Sequence, residues 1–141
     1  MRKSIQRAVL ALSAMTAVAG SVFVTSPAMA ASSPIAACGG GKYHIVDKHV
    51  FKKSGKKVAT TFLLYNGKTD CVITWKAHRD KKFISAEVIK QGDKQWTIPK
   101  KFHYGAYVLV KRSAHGACIA WGGEYDTDHH WRTHKWVHCG K

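Results

Sequence analysis

Gly116-Ala117-Cys118-Ile119-Ala120-Trp121-Gly122-Gly123 sets a cysteine, an indole and a pair of glycines side by side in an apolar run. A large aromatic next to a cross-linkable thiol is what a small exported domain uses as an anchor. Just upstream, Phe102 to Val110 alternates with the period of a strand and is expected to pair with this stretch. Downstream, Cys139 lies near enough in sequence to be tied back to Cys118.

Working outward, Val58 to Tyr65 is the clearest strand of the N-terminal half. Val58, Thr60, Phe62 and Leu64 share one face and Ala59, Thr61, Leu63 and Tyr65 the other, so both faces should be at least partly covered. Asn66-Gly67 signals a hairpin into a partner strand, Cys71 to Ala77. Tyr43 to Phe51 reads as a first strand whose alternation is interrupted by Asp47 and Lys48. In Phe83 to Lys90, Ile84, Val88 and Ile89 also fit helical spacing, but the Gln91-Gly92-Asp93 turn favours a strand. Trp96 to Ile98 is a short strand stopped by Pro99, and His130 to Cys139 a last extended segment. Strands at this spacing, with glycine-marked turns between them, predict an all-β fold. We expect a single small sandwich or barrel-like domain over residues 38–141, behind a flexible leader at 31–37.

Residues 1–30 read as a signal peptide: Arg2, Lys3 and Arg7, then apolar Ala8 to Val24, then Ala28-Met29-Ala30 before the cut. The apolar middle is too short and too rich in Ala, Ser and Thr for a membrane span, and no later stretch is long enough. Ile35-Ala36-Ala37-Cys38 has the residue types of a lipobox, but lipidation of Cys38 would leave an odd number of thiols. The 4 cysteines of an exported chain imply two disulfides, for which three pairings are open. Cys38–Cys71 with Cys118–Cys139 joins neighbours in the chain and is favoured. On the chain-entropy model each contributes on the order of 3 to 4 kcal/mol. A zinc site from the same residues would need CxxC pairs, which are absent.

The formal net charge is +15, from 23 Lys and Arg against 8 Asp and Glu, and only Arg2, Lys3 and Arg7 leave with the signal. A field of that sign attracts polyanions whatever the fold. The basic residues gather at turns: Lys52, Lys53, Lys56 and Lys57; Arg79, Lys81 and Lys82; Lys100 and Lys101. Phe51, Trp75, Phe83, Trp96 and Phe102 stand near them. Such interleaving serves stacking on single-stranded nucleic acid. Their alternation favours strand core over stacking.

Cys38-Gly39, Leu64-Tyr65-Asn66, Cys71-Val72-Ile73-Thr74, Tyr104-Gly105-Ala106-Tyr107-Val108, Cys118-Ile119-Ala120-Trp121-Gly122-Gly123 and Cys139-Gly140 together resemble the small secreted proteins of filamentous actinobacteria named after spore-associated protein A. The resemblance spans nearly all of residues 31–141 and rests on the order of these motifs. It implies export, association with spores or the outer surface, two disulfides and no established enzymatic activity. The chain departs from that pattern in its higher charge and its His- and Trp-rich end.

In that end, His130, His134 and His138 are four apart. On a helix two of them could share a zinc, copper or nickel ion. On a strand, same-face positions that far apart sit roughly 13 Å from one another, so a site needs a partner such as His44, His103 or His115. A specific metal site is therefore not expected, and metal sequestration by the tail is the weakest functional reading. Glu87 and Glu124 are the only glutamates and no Gly-x-Ser-x-Gly elbow occurs. A small ribonuclease would combine one of them with a histidine and an arginine, as base, acid and phosphate clamp. The expectation is a secreted, non-enzymatic, cationic, monomeric protein of the extracellular space or spore surface, without cofactor. Its expected partners are anionic envelope polymers or nucleic acid.

Overall fold

In this computed structural model, residues 31–99 and 105–140 are described. The predicted signal peptide, Lys100, Lys101 and the start of the strand predicted from Phe102 lie outside the described residues. The element order is α1 (Pro34–Cys38), β1 (His44–Lys53), β2 (Lys56–Tyr65), β3 (Thr69–Lys76), β4 (Ile84–Lys90), β5 (Tyr107–Ser113), β6 (Ile119–Tyr125) and β7 (His129–Arg132). The strands form a four-stranded sheet in the order β1-β2-β3-β5 and a three-stranded sheet in the order β4-β6-β7, with every pairing antiparallel. The expected all-β fold is thus a two-sheet arrangement. Among the described residues no helix is long and apolar enough to cross a membrane.

Alternation dictates two apolar layers. Leu63, Val72, Val108 and Val110 from the larger sheet meet Ile84, Val88, Ile119, Trp121 and Tyr125 from the smaller one in the main core. The opposite face of the larger sheet carries Leu64, Cys71 and Ile73, and the α1 segment covers it with Ile35, Ala37 and Cys38. Hence both faces of β2 are apolar, as its sequence required. At the centre of the main core the sheets approach closely. The Thr61 and Thr74 hydroxyls are 2.7 Å apart, and Thr74 donates to the Ser85 carbonyl at 2.6 Å. Gly123 lies over this pair, where a Cβ would fall 2.5 Å from Thr74 Oγ1. Only a residue without a side chain lets β6 cross there. Trp121, fully buried, meets Trp131 edge-on at 4.9 Å, and Trp131 stacks on His49 of β1 at 4.2 Å, joining the two sheets along one side.

The disulfides pair as favoured, Cys38–Cys71 and Cys118–Cys139. Asn66-Gly67 turns the β2–β3 hairpin, with Asn66 Oδ1 accepting from the Lys68 and Thr69 N–H groups at 3.0 and 2.8 Å. Four expectations need correction. Residues 31–37 include a capped helical turn: Ser33 Oγ accepts from Ala36 N–H, and Gly39 closes the end with φ +119°. β5 pairs with β3, and β6 with β4 and β7, so the strand before the anchor stretch lies in the other sheet. Val108 and Val110 face the main core while Leu109 packs on the α1 side of the larger sheet. The tail is a strand only to Arg132, because Thr133 Oγ1 takes the Trp121 N–H; beyond it one bridge joins Val137 to Ile119. Trp96 to Ile98 is likewise reduced to a single bridge, Thr97 with Val88.

Candidate functional site

Strand register decides where the basic turns go. The β1–β2 turn carries Lys52, Lys53, Lys56 and Lys57, and the loop between β3 and β4 carries Arg79, Lys81 and Lys82. Both leave the sheets at the end where Ala59 pairs with Lys76 and Ile84 with Tyr125. The β6–β7 turn arrives there too, and its Asp126 accepts Lys82 at 2.8 Å and lies 3.9 Å from Lys53. Lysines from different loops thus converge on one carboxylate. Among the described residues Lys52, Lys56, Lys57, Arg79 and Lys81 are exposed and make no ion pair, so they form an electropositive pole.

A buried tie holds this pole in place. Lys76 points into the end of the main core with no side-chain exposure, and its ammonium donates to the Asp80 carbonyl at 2.9 Å and lies 2.8 Å from Asp80 Oδ1. The Tyr125 hydroxyl donates to the other Asp80 oxygen at 2.6 Å. Burial opposes ionisation of Asp80, but the bonds from Lys76, Tyr125 and the Lys82 N–H outweigh it and keep the carboxyl below its ordinary value. Burial and the acceptance of its proton by Asp80 push the Tyr125 hydroxyl up to about 12. The hydrogen bond from Lys82 depresses Asp126 in the same way.

A second cluster lies on the outer face of the smaller sheet. Register sets Glu87 opposite Gly122 and Gly122 opposite Arg132; the neighbouring row is Ser85, Glu124 and His130. Gly122 leaves the space over β6 open, so Arg132 can cross it; a Cβ there would lie 2.8 Å from Arg132 Cγ. Arg132 Nε donates to Glu87 Oε2 at 2.5 Å, Ser85 Oγ donates to Oε1 at 3.0 Å, and His130 Nε2 lies 3.2 Å from Oε2. The Arg132 guanidinium also sits 4.4 Å from the centre of the Trp96 ring. Burial, with the nearby Glu87 charge, raises the Glu124 carboxyl above its ordinary value against the pull of His130 and Arg132.

The structure separates the three tail histidines. His130 faces Glu87, His134 is exposed, and His138 Nδ1 meets the buried Asp70 at 2.8 Å. Among the described residues no three metal-ligating side chains converge. The aromatics near the basic turns divide as well. Phe51 is core, Trp75 stacks on Tyr107 at 4.8 Å on the α1 side, and Trp96 belongs to the second cluster. Lys100, Lys101 and Phe102 lie outside the described residues. Residue types alone pointed to Glu87 and Glu124, whereas Ser85, Arg132 and Gly122 emerge only from register. Comparison of the chain with protein-family models, with curated proteins and with solved structures returns no match.

Proposed function

We propose that the protein is an exported, surface-associated component that attaches to anionic envelope polymers through its cationic pole. Export rests on the sequence of residues 1–30 and agrees with the two disulfides. Spore or cell-surface association rests on the resemblance to the spore-associated protein A group. The observation that carries attachment is the meeting of Lys53 and Lys82, from separate loops, at Asp126, with five further cations exposed around them. Clustered lysines displace counterions from a polyanion, so the affinity belongs to charge density and falls steeply with salt. Attachment of this kind needs no cofactor and no second subunit.

Retention on immobilised polyphosphate, read against a sodium chloride gradient, tests the proposal. The protein is expected to bind at low salt and to be released by about half-molar salt. Retention that is unchanged across that range would show that charge is not the mechanism.

A further inference from the structure

We propose that the outer face of the smaller sheet is a phosphodiester site that cleaves single-stranded RNA by internal transphosphorylation, with Glu124 as base, His130 as acid and Arg132 as phosphate clamp. This departs from the non-enzymatic expectation and does not rest on the attachment reading. Three features of the cluster carry it.

The first is the pairing of Glu124 with His130. They stand directly opposite each other across β6 and β7, which puts their Cβ atoms about 5 Å apart. An acid and a base at that spacing can flank one phosphorus atom from two sides. The second is Arg132. Its Nε is used by Glu87, while its two terminal nitrogens make no hydrogen bond among the described residues and are left for phosphate oxygens. Glu87, 2% exposed, touches no solvent-borne substrate; it is a positioning residue that fixes both Arg132 and His130. The third is a recess of about 310 Å³ beside the cluster, lined by Ile89, Trp96, Thr133, His134 and Trp136 among others. That size lies at the small end of ligand pockets, which run from roughly 300 to 1,000 Å³. Trp96 both lines the recess and faces the Arg132 guanidinium, so a base stacked on an indole there would hold its phosphate at Arg132.

The step balances without a cofactor. The Glu124 carboxylate takes the ribose 2′-OH proton, the 2′-oxygen forms a bond to phosphorus, and the bond from phosphorus to the 5′-oxygen breaks. His130 as imidazolium gives its proton to that leaving oxygen, and the products are a 2′,3′-cyclic phosphate and a free 5′-hydroxyl. Arg132 balances the charge gathered on the two non-bridging oxygens. DNA, lacking the 2′-OH, cannot react.

The test incubates the full protein with a mixed-sequence RNA hexamer in chelator, beside its 2′-deoxy counterpart, with products read by mass spectrometry. Expected are cyclic-phosphate ends from RNA and none from DNA. Glu124→Gln and His130→Gln should each lower the rate by about 100-fold or more while thermal melting stays near that of the parent. Should either variant unfold, Trp96→Ala is expected to raise KM more than it lowers kcat. Parent protein that leaves RNA intact, or cleavage undiminished in folded Glu124 and His130 variants, overturns the proposal. Polyphosphate retention of the parent protein separates the two readings: parent that is retained in a salt-sensitive way yet leaves RNA intact contradicts this site alone.

Discussion

Adding one methyl group at Gly123 would drive it against the Thr61 and Thr74 hydroxyls and the Ser85 carbonyl, all of them buried. None of these is the free end of a flexible chain, so the sheets themselves would have to part. Gly123→Ala is expected to lower the free energy of unfolding by about 3 kcal/mol in urea denaturation. A change within about 0.5 kcal/mol would show that the sheets do not meet there. Tyr125 offers a second reading at this scale. Its proton is held up to about 12, so its contribution to stability is complete below the ordinary value of 10.0 and is lost as pH rises through the folded value. Absorbance titration of the native protein should show a late phenolic step near 12 that Tyr125→Phe removes. Ionisation of all tyrosines near their ordinary value would contradict the Asp80 bond.

The loops depend on acids that the fold keeps ionised. Asp80, Asp93 and Asp126 all lie below their ordinary value, opposed by burial but held by Lys76, Arg112, Lys82 and backbone N–H groups. Groups of this sign contribute stability above the unfolded carboxylate range, and that stability is lost as pH falls through the folded values. Below about pH 4 the Lys82 and Thr127 amides, which bond Asp80 and Asp126, are therefore expected to lose hydrogen-exchange protection before the strands do. Simultaneous loss in loops and strands would count against local control. The tail beyond Arg132 depends instead on Cys118–Cys139, which closes a separation of 21 residues. Replacing both cysteines with serine should cost about 3 kcal/mol in urea denaturation. An unchanged midpoint would mean that the Asp70–His138 contact suffices.

Several elements were legible in the residues for a physical reason. Alternation over two apolar faces, ended by Asn66-Gly67, makes β2 and β3 a hairpin, and Gln91-Gly92-Asp93 ends β4 where the spacing alone was ambiguous. The partner of β5 was not legible, because alternation sets which side chains share a face and not which strand lies next to them. α1 was hidden by small residues that read as loop, although Ser33 before Pro34 was a cap signal. Glu87 and Glu124 were visible as residue types, but their meeting with His130 and Arg132 needs the β4–β6–β7 register and the gap at Gly122.

For the molecule as a whole, a net charge of +15 makes some attraction to polyanions unavoidable, so attraction alone distinguishes nothing. What the fold adds is placement: one end gathers Lys52, Lys57 and Lys81, while Lys42, Lys68 and Lys94 are exposed at the opposite end. Reversing three charges at either end changes the net charge equally. The decisive measurement compares polyphosphate affinity across salt for the K52E/K57E/K81E and K42E/K68E/K94E triple variants. Attachment through the pole requires the first variant to lose affinity at least tenfold more than the second, with a shallower dependence on salt. Equal losses in the two would mean that only total charge matters, and would contradict a defined attachment surface.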